Sequence, residues 1–494
     1  MLCAISGLLL ALSFPFYLFG FSFRLGFLAY FSLVPFLFSL VDKKHEPSFS
    51  LGFLKGLIFY GVSLFWVAWA TLPGGIGSIV FLALYLGLFT LILTFLYERW
   101  GSIVLWFFPL FWTAMEYLRS IGQLAFPWTS ICYSQTEYLH LIQFASLIGP
   151  YGVSLWLALI NVLIFFALKN WQRQRYLLLL LVPLILTPYV HGQRTIPEEE
   201  LSPEFKVALI QPNVDPHVKW DSQFIEHNFD VLLSLTRQLE LEGLDLVIWP
   251  ETATPCYLVR QRKHYQKVRD LVDEIQVSLL TGSPDYAYID EEEYQYFNSA
   301  FLFIPNDQEI QRYSKMQLVP FSEKIPYDEH IGLLRRINFG EADFTPGHDW
   351  TIFEHPRGRF AVLICFESVF PQIAREFRRL GADFLVVITN DGWFGPTSGP
   401  FQHAQIAVFR AIENRISIAR CANTGVSMII DPYGRIKPQT PIYVERALTA
   451  EFSMQNHSTF YNRHGEWLSW ICCSITGLLL VGAPFRKKRE RVSC

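Results

Sequence analysis

Charged residues are scarce in this sequence. Asp, Glu, Lys and Arg make up 17% of its 494 residues, against about a quarter in soluble domains. Hydrophobic residues make up 51%, and the mean hydropathy is +0.26. An excess of basic residues is also missing: the formal net charge is −4, and no basic, aromatic-interleaved groove can be recognised. The first lack indicates a protein that is at least partly embedded in a membrane, and the second argues against nucleic-acid binding.

The sequence also lacks the cysteine spacings of a metal site or a disulfide framework. None of its eight cysteines forms a CxxC pair or a zinc-type spacing. No nucleotide-binding motif is present either. We therefore expect no metal and no cofactor, and whether Cys256 and Cys421 pair stays open at this point.

Long apolar runs, by contrast, are abundant, and they predict eight membrane spans. The predicted spans are about 2–20, 26–41, 52–71, 79–97, 102–119, 142–168, 176–191 and 466–484. The first run lacks a basic n-region and a small-x-small cleavage site, which favours a retained helix over a signal peptide. The run at 142–168 is long for one crossing, and Gly149-Pro150 marks the place where a tilt or break is expected.

Lys and Arg concentrate in alternate loops, which predicts how the chain crosses the membrane. Lys43 and Lys44 lie in one such loop, and a basic cluster follows the last span at 486–491. By the positive-inside rule, the amino terminus and this tail are cytoplasmic. Seven spans precede residue 196, so the polar segment after them is expected outside, in the periplasm.

Three domains are therefore predicted: a membrane domain at 1–195 with seven spans, a polar domain at 196–465, and a last span with a basic tail at 466–494. Within the polar domain, strands and helices alternate, which predicts a layered α/β sandwich with its site at strand ends. Strands are expected at 205–211, 244–251, 278–284, 298–304, 360–365, 383–390, 416–421, 426–431 and 447–452. Helices are expected at 221–241, 257–275, 370–380 and 400–414, with a long loop over 313–350.

Three residues at strand ends or in loops suggest one chemistry. Cys365 follows the apolar strand 360–364, Glu251 ends LDLVIWPE, and Lys315 lies in YSKMQLVPFSE. A thiol can attack a carbonyl, a carboxylate can take its proton, and an ammonium can stabilise the resulting oxyanion. Taken singly, each has an ordinary alternative: a small buried hydrophobe, a solvated carboxylate or a surface lysine.

Four motifs in this order carry a resemblance to a known family: IWPET, YSKMQLVPFSE, LICFES and TNDGWFG. They are similar to the motifs of the Glu–Lys–Cys nitrilase superfamily. With the flanking spans, the chain resembles the membrane-embedded branch of that superfamily, the apolipoprotein N-acyltransferases of Gram-negative bacteria. QPNVDPHVKW, the segment EYLRS…FPW at 116–128 and TGVS at 424–427 extend the resemblance over essentially the whole chain.

The resemblance implies a nitrilase-like αββα domain in which Glu251 is the proton acceptor, Lys315 the oxyanion-stabilising cation and Cys365 the nucleophile. It also implies supporting or substrate-contacting roles for Glu323, Glu367, Trp220, Phe366 and Trp393. The sequence departs from the family at Phe366, where tyrosine is common, at Met316-Gln317 and at Ser322, where glycine is common. We expect Phe366 to serve packing, and Glu367 to orient the site rather than form a plain salt bridge.

The implied reaction transfers a fatty acyl chain from a membrane phospholipid, through a Cys365 thioester, to the α-amino group of diacylglyceryl-cysteine on apolipoproteins. The implied enzyme is a monomer in the inner membrane, with the bilayer, a phospholipid donor and lipoprotein acceptors as its partners. Two alternatives stay open. A membrane-tethered amidase or nitrilase would use water as acceptor, and a non-enzymatic scaffold would tolerate loss of the thiol.

Overall fold

The computed structural model describes residues 1–18, 21–41, 48–221, 223–288, 294–330, 343–454 and 457–486. The α-helices of this part of the chain are α1 (Leu2–Leu12), α2 (Val34–Val41), α3 (Ser48–Ser63), α4 (Val67–Ala70), α5 (Leu72–Trp100), α6 (Phe108–Leu118), α7 (Leu139–Ile142), α8 (Ala145–Lys169), α9 (Trp171–Gln174), α10 (Leu181–Thr195), α11 (Ile225–Arg237), α12 (Arg262–Ile275), α13 (Pro371–Arg379), α14 (Ser398–Asn414), α15 (Phe460–His464) and α16 (Trp467–Gly482).

The apolar helices confirm the membrane character predicted from the sequence. Among the described residues, four helical stretches are long and apolar enough to cross a membrane: Leu72–Leu118, Ala145–Lys169, Trp171–Thr195 and Trp467–Phe485. Three apolar helical segments are shorter: Leu2–Leu12, Gly26–Val41 and Ser48–Ser63. The expected break near Gly149-Pro150 is confirmed by the non-helical φ of 71° at Gly149. The number of eight spans stays a prediction.

The stretch Leu72–Leu118 contains two of the predicted spans, 79–97 and 102–119. Gly101, with φ 72° and ψ −160°, ends α5, and a short 3-10 helix then leads into α6. The chain therefore turns between the two segments at a residue whose backbone tolerates positive φ.

Two sets of basic residues used to predict orientation, Lys43 with Lys44 and 487–491, lie outside the described residues.

The strands are β1 (Phe16–Leu18), β2 (Phe21–Phe23), β3 (Phe205–Gln211), β4 (Leu246–Ile248), β5 (Ser278–Tyr288), β6 (Tyr294–Phe303), β7 (Gln311–Ser314), β8 (Phe353–His355), β9 (Gly358–Ile364), β10 (Phe384–Thr389), β11 (Ser417–Ala422), β12 (Met428–Ile430), β13 (Ile436–Gln439) and β14 (Arg446–Phe452). Two six-stranded sheets have the orders β14-β3-β4-β5-β6-β7 and β13-β12-β11-β10-β9-β8, and β1 pairs with β2. All nine predicted strands and four predicted helices of the polar domain are present, with shifted ends. The strands β7, β8 and β13 were not predicted.

The two six-stranded sheets pack face to face between two layers of helices. On β3, Val207 and Leu209 lie in the core shared with the second sheet, whereas Ala208 and Ile210 lie in the core beneath α11 and α12. This alternation is the period of two expected for a strand buried on both faces. On the other side, α14 packs on β11 and β12, and α13 packs on α14. The polar domain is therefore the predicted αββα sandwich.

Strand direction brings the candidate residues to one edge of this sandwich. In the first sheet β3, β4 and β5 are parallel, and two antiparallel steps through β6 make β7 run the same way. In the second sheet β9, β10 and β11 are parallel. Glu251 lies just beyond β4, Lys315 directly follows β7 and Cys365 directly follows β9. Carboxyl ends of parallel strands share an edge, and the three residues meet there.

The sandwich packs directly on the membrane part of the chain. Gln402 of α14 accepts hydrogen bonds from the indole nitrogens of Trp66 and Trp128, at 3.2 and 3.1 Å. Its amide donates to the carbonyls of Pro15 and Ser63, both at 3.2 Å. Helix α14 also contacts α8. One buried side chain thus ties the sandwich to three separate segments of the membrane part.

Candidate active site

Cys365 lies at the turn where β9 ends. Its φ is 52°, a left-handed conformation that is uncommon for a residue with a side chain. The residue begins a 3-10 turn, Cys365–Val369, which leads into α13. Its carbonyl accepts hydrogen bonds from the Ser368 hydroxyl at 2.8 Å and from His403 Nε2 at 3.1 Å. The surroundings thus hold the half-buried cysteine in a strained backbone conformation, a feature that clusters at functional sites.

Glu251, Lys315 and Glu323 form one buried charged group. Lys315 Nζ lies 2.8 Å from Glu323 Oε1 and 3.5 Å from Glu251 Oε1. Asn298 Nδ2 donates to Glu251 Oε1 at 2.8 Å, and the backbone N–H of Asn390 donates to Glu251 Oε2 at 2.9 Å. Glu251 is 6% exposed and Lys315 1%. These contacts hold the Glu251 and Lys315 side chains in place, because their polar atoms all have partners.

Electrostatics keep the lysine charged and the thiol protonated at rest. Burial lowers the pKa of Lys315, but the carboxylates of Glu323 and Glu251 outweigh this and hold that pKa above its ordinary value. Burial raises the pKa of the Cys365 thiol, the Glu251 carboxylate adds to the rise, and the Lys315 ammonium opposes it. The arrangement therefore suits removal of the thiol proton by a base during attack, rather than a preformed thiolate.

Glu367 links the cysteine turn to the lysine loop. Its Oε2 accepts the N–H of Ile364 at 2.7 Å, and its Oε1 accepts the N–H of Met316 and the Tyr313 hydroxyl, both at 2.7 Å. Burial raises the pKa of this carboxyl, although the hydrogen bonds oppose the rise. Its described contacts thus fit the expected orienting residue and include no direct ion pair with Lys315.

Phe366, Trp220 and Trp393 take different places around the turn. Phe366 is buried, and its ring centroid lies 5.9 Å from that of Phe126, in the segment FPW of the membrane part. The Trp393 ring packs against His217 at 5.2 Å. Trp220 is 44% exposed and contacts none of the three charged residues through any described hydrogen bond. In this structure Phe366 is packed among aromatic side chains. The roles of Phe366 and of the two tryptophans toward substrate stay predictions.

A buried polar network that the sequence did not predict lies behind the cysteine. His403 Nδ1 lies 2.8 Å from Asp391 Oδ1, and Arg420 Nη2 donates to Asp391 Oδ2 at 2.9 Å. His403 Nε2 reaches the Cys365 carbonyl and, at 2.9 Å, the Ser368 hydroxyl. Asp391 could have been noticed in the sequence, because it lies in the TNDGWFG motif. His403 could not, because the sequence of α14 around it has no distinctive pattern.

Lys219 and Asn298 were also missed. Lys219 is 2% exposed and donates to Thr252 Oγ1 at 2.7 Å and to the Glu251 carbonyl at 3.5 Å. Burial lowers the pKa of Lys219 to about 8, and the Glu251 carboxylate opposes this. Both residues support Glu251 from neighbouring elements. The signals were a lysine beside Trp220 and a polar residue at the start of an apolar strand, and both patterns are too common to single out.

The cysteines of the described chain are all free, including the buried Cys256 and Cys421, so the open question of their pairing is answered for this structure. The described residues contain no group of His, Cys, Asp and Glu that could hold a metal ion. The side chains gathered at the edge supply a nucleophile, a carboxylate and a fixed cation. This set suits acyl transfer at a carbonyl.

An αββα sandwich with these groups at its edge defines a nitrilase-type domain, here packed on a membrane part. The "Carbon-nitrogen hydrolase" family model matches residues 206–459, and the "Apolipoprotein N-acyltransferase N-terminal domain" model matches residues 6–163. The apolipoprotein N-acyltransferase of Geobacter metallireducens is 36% identical over 99% of this chain and 95% of its own. That of Chlorobaculum tepidum is 35% identical over 98% and 96%. The chain belongs to the apolipoprotein N-acyltransferase family.

Proposed function

We propose that this protein transfers a fatty acyl chain from a membrane phospholipid to the α-amino group of diacylglyceryl-cysteine at the amino terminus of apolipoproteins. The single observation that carries the proposal is the buried Lys315 ammonium beside Glu251, with both groups acting electrostatically on the Cys365 thiol. The membership of the chain in the family supports the choice of substrates.

In the first half-reaction, Glu251 takes the Cys365 proton as Sγ attacks the ester carbonyl of the phospholipid. The negative charge that develops on the carbonyl oxygen is stabilised by the Lys315 ammonium. The ester C–O bond then breaks, and Glu251 returns the proton to the leaving oxygen of the lysophospholipid. The product is a thioester on Cys365.

In the second half-reaction, the lipoprotein amine attacks the thioester carbonyl and gives a proton to Glu251. The C–S bond breaks, an amide forms, and the proton returns to the sulfur of Cys365. Glu323 holds Lys315, and Glu367 holds the lysine loop and the cysteine turn together. Phe366 packs the turn against the membrane part, and Trp220 and Trp393 contact the lipid substrates.

We further propose that the chain is an inner-membrane monomer with eight spans and the three domains 1–195, 196–465 and 466–494. The sandwich then lies in the periplasm, where both lipid substrates can reach its edge from the outer leaflet. Reporter fusions after residue 200 are expected outside and fusions after residue 490 inside. An inside signal from residue 200 contradicts this orientation.

The mass of the purified protein after incubation with phospholipid alone tests the reaction. We expect a gain of one acyl chain on Cys365, absent in Cys365→Ala and kept in the control Cys473→Ala, which removes a half-buried thiol in α16. Addition of a diacylglyceryl-cysteine peptide should then discharge the acyl chain to the peptide amine. Discharge to water at the same rate without peptide favours the amidase alternative, and no acylation at all contradicts the proposal.

A further inference from the structure

Lys219 is a buried cation to which the reaction proposed above gives no role. It lies in the loop between β3 and α11 and is 2% exposed. The backbone of the loop is fixed there. The N–H of Lys219 donates to the Asp215 carbonyl at 3.1 Å, and its carbonyl accepts a hydrogen bond from Asn228 Nδ2 of α11 at 3.2 Å. Because removing an ammonium group from water is costly, the contacts that its side chain makes in return indicate its role.

The Lys219 ammonium is directed at the residue pair Glu251 and Thr252. Its Nζ donates to Thr252 Oγ1 at 2.7 Å and to the Glu251 carbonyl at 3.5 Å, and it lies 5.8 Å from the centre of the Trp220 ring. All three partners are uncharged. In the part of the chain that the structure describes, Lys219 forms no ion pair, and the carboxylate that acts on it electrostatically is that of Glu251. The cation therefore serves the proposed base rather than a structural carboxylate.

Thr252 directly follows the proposed base in a strained turn. Its φ is 45°, a left-handed conformation that is unusual for a β-branched residue. Strand β5 packs closely on the same turn. The N–H of Gly282 donates to the Pro250 carbonyl at 3.2 Å, and a Cβ at Gly282 would lie 2.6 Å from the Thr252 nitrogen. A strained backbone persists only where its surroundings over-determine it, and Lys219 supplies one of these constraints through the Thr252 hydroxyl.

We propose that Lys219 is a positioning residue for acyl transfer, whose ammonium holds the Glu251–Thr252 turn in place and favours the ionised carboxylate of Glu251. This role rests on the proposed function, in which Glu251 is the base. Lys315 contacts the side chain of Glu251 and Lys219 contacts its backbone, so two cations hold the base from different sides. Among the described contacts of Lys219, none involves Cys365, so it acts through Glu251.

The charge of Lys219 gives this role a pH dependence. Burial lowers the pKa of Lys219 from 10.5 to about 8, although the Glu251 carboxylate opposes this fall. Lys315 and the Cys365 thiol have pKa values above their ordinary ones, so they titrate at higher pH. Titratable groups that also lie in the Lys219 loop or around the Glu251 carboxylate are Asp215, His217, Asp221, Glu323 and Asp391. As pH rises through about 8, Lys219 loses its positive charge, and acylation should slow.

Single-turnover acylation of Cys365 by phospholipid, followed over a range of pH with the purified full chain, tests this role. The lipoprotein amine, which itself titrates, takes no part in this half-reaction. In the unaltered protein the rate should fall as pH rises through about 8. Lys219→Met should acylate about 10–100-fold more slowly below this pH, the cost of a lost hydrogen bond to a charged group, and it should show no fall above it. Because Lys219 acts through Glu251, the maximal rate should drop while the half-saturating phospholipid concentration stays unchanged.

Variants of the partner residue separate the role of the charge from altered folding. Thr252→Val removes the hydroxyl and keeps the branched shape of the side chain. It should slow acylation about tenfold and move the alkaline fall to lower pH, because the charged form of Lys219 loses an acceptor. Thr252→Ser, which keeps the hydroxyl, should match the unaltered protein. The control Lys206→Met removes a lysine that also donates to a backbone carbonyl, that of Glu242 at 2.8 Å, and it should leave the rate and its pH profile unchanged.

The outcomes distinguish this role from the proposed function. Near-normal acylation by Lys219→Met, an alkaline fall that persists in it, or no such fall in the unaltered protein overturns the role of Lys219 and leaves the proposed function standing. If thermal unfolding shows that Lys219→Met does not fold, Thr252→Val decides, and an unshifted fall in that variant overturns the role. No acylation of the unaltered protein by phospholipid overturns the proposed function and this role with it.

Discussion

The substitution Lys315→Met removes the cation from a buried group that also contains two carboxylates. In the intact protein, Lys315 Nζ lies 2.8 Å from Glu323 and 3.5 Å from Glu251. Without it, the two carboxylates share Asn298 as a hydrogen-bond donor, and no described cation is left in contact with their oxygens. We therefore expect two separate losses, one of stability and one of catalysis.

The size of each loss can be estimated. The attraction across the 3.5 Å between Lys315 and Glu251 is about 5 kcal/mol at an effective dielectric constant of about 20. Measured losses on breaking one partner of a buried pair are about 3–5 kcal/mol. Loss of one oxyanion-stabilising group slows the chemical step roughly 10²–10³-fold. That contact forms only as charge develops, so kcat should fall more than KM rises.

A double variant separates the two effects. Lys315→Met/Glu323→Gln removes one orphaned negative charge, so it should recover much of the stability while acylation stays slow. Single-turnover acylation of Cys365 by phospholipid, measured beside thermal unfolding, gives both quantities. The control Lys437→Met breaks an ion pair with the exposed Glu200, and it should leave both acylation and the unfolding midpoint nearly unchanged. Acylation within a few-fold of the unaltered protein in the stable double variant would refute the oxyanion role.

Three further predictions concern the neighbours of the lysine. Glu251→Gln should keep the fold and slow single-turnover acylation by about 10²–10⁴, the usual contribution of a general base. In His403→Asn the side-chain amide can replace only the contact with Asp391, whereas in His403→Gln it can donate an N–H to the Cys365 carbonyl. The asparagine variant should therefore acylate roughly tenfold more slowly than the glutamine variant. Asp391 is buried, but Arg420 and His403 lower its pKa from 3.8 to about 2. It should therefore stabilise the fold above about pH 4 and lose this effect as pH falls to 2, seen as a change in unfolding midpoint that Asp391→Asn removes.

Each of these has an outcome that contradicts it. Near-normal acylation by Glu251→Gln would assign the base to another carboxylate, with Glu323 and Glu367 as the first candidates. Equal rates in the two His403 variants, at equal stability, would show that its bond to the cysteine carbonyl does not position the nucleophile. An unchanged acid profile in Asp391→Asn would place the acid-sensitive groups elsewhere.

The elements that could be predicted from the sequence are those whose signal lies in consecutive residues. Apolar runs predicted the membrane part, and alternating strand and helix patterns predicted the sandwich. Both predictions are possible because the apolar residues that a strand or span buries are adjacent or regularly spaced in the sequence. The predicted strand that leads to Cys365 is apolar over 360–364, and the observed strand β9 begins two residues earlier and ends at Ile364. By contrast β7, with the sequence QRYS, is a four-residue edge strand that carries no alternating pattern, so the sequence predicts no strand there.

The sequence predicts the three candidate residues at strand ends or in a loop, but their surroundings depend on contacts between distant parts of the chain. Glu367 bonds Met316, 51 positions away, and His403 reaches back 38 positions to the Cys365 carbonyl. A buried polar side chain is stable only when a partner meets it. Which partner meets it depends on how the strands and helices pack, so no local sequence pattern predicts it.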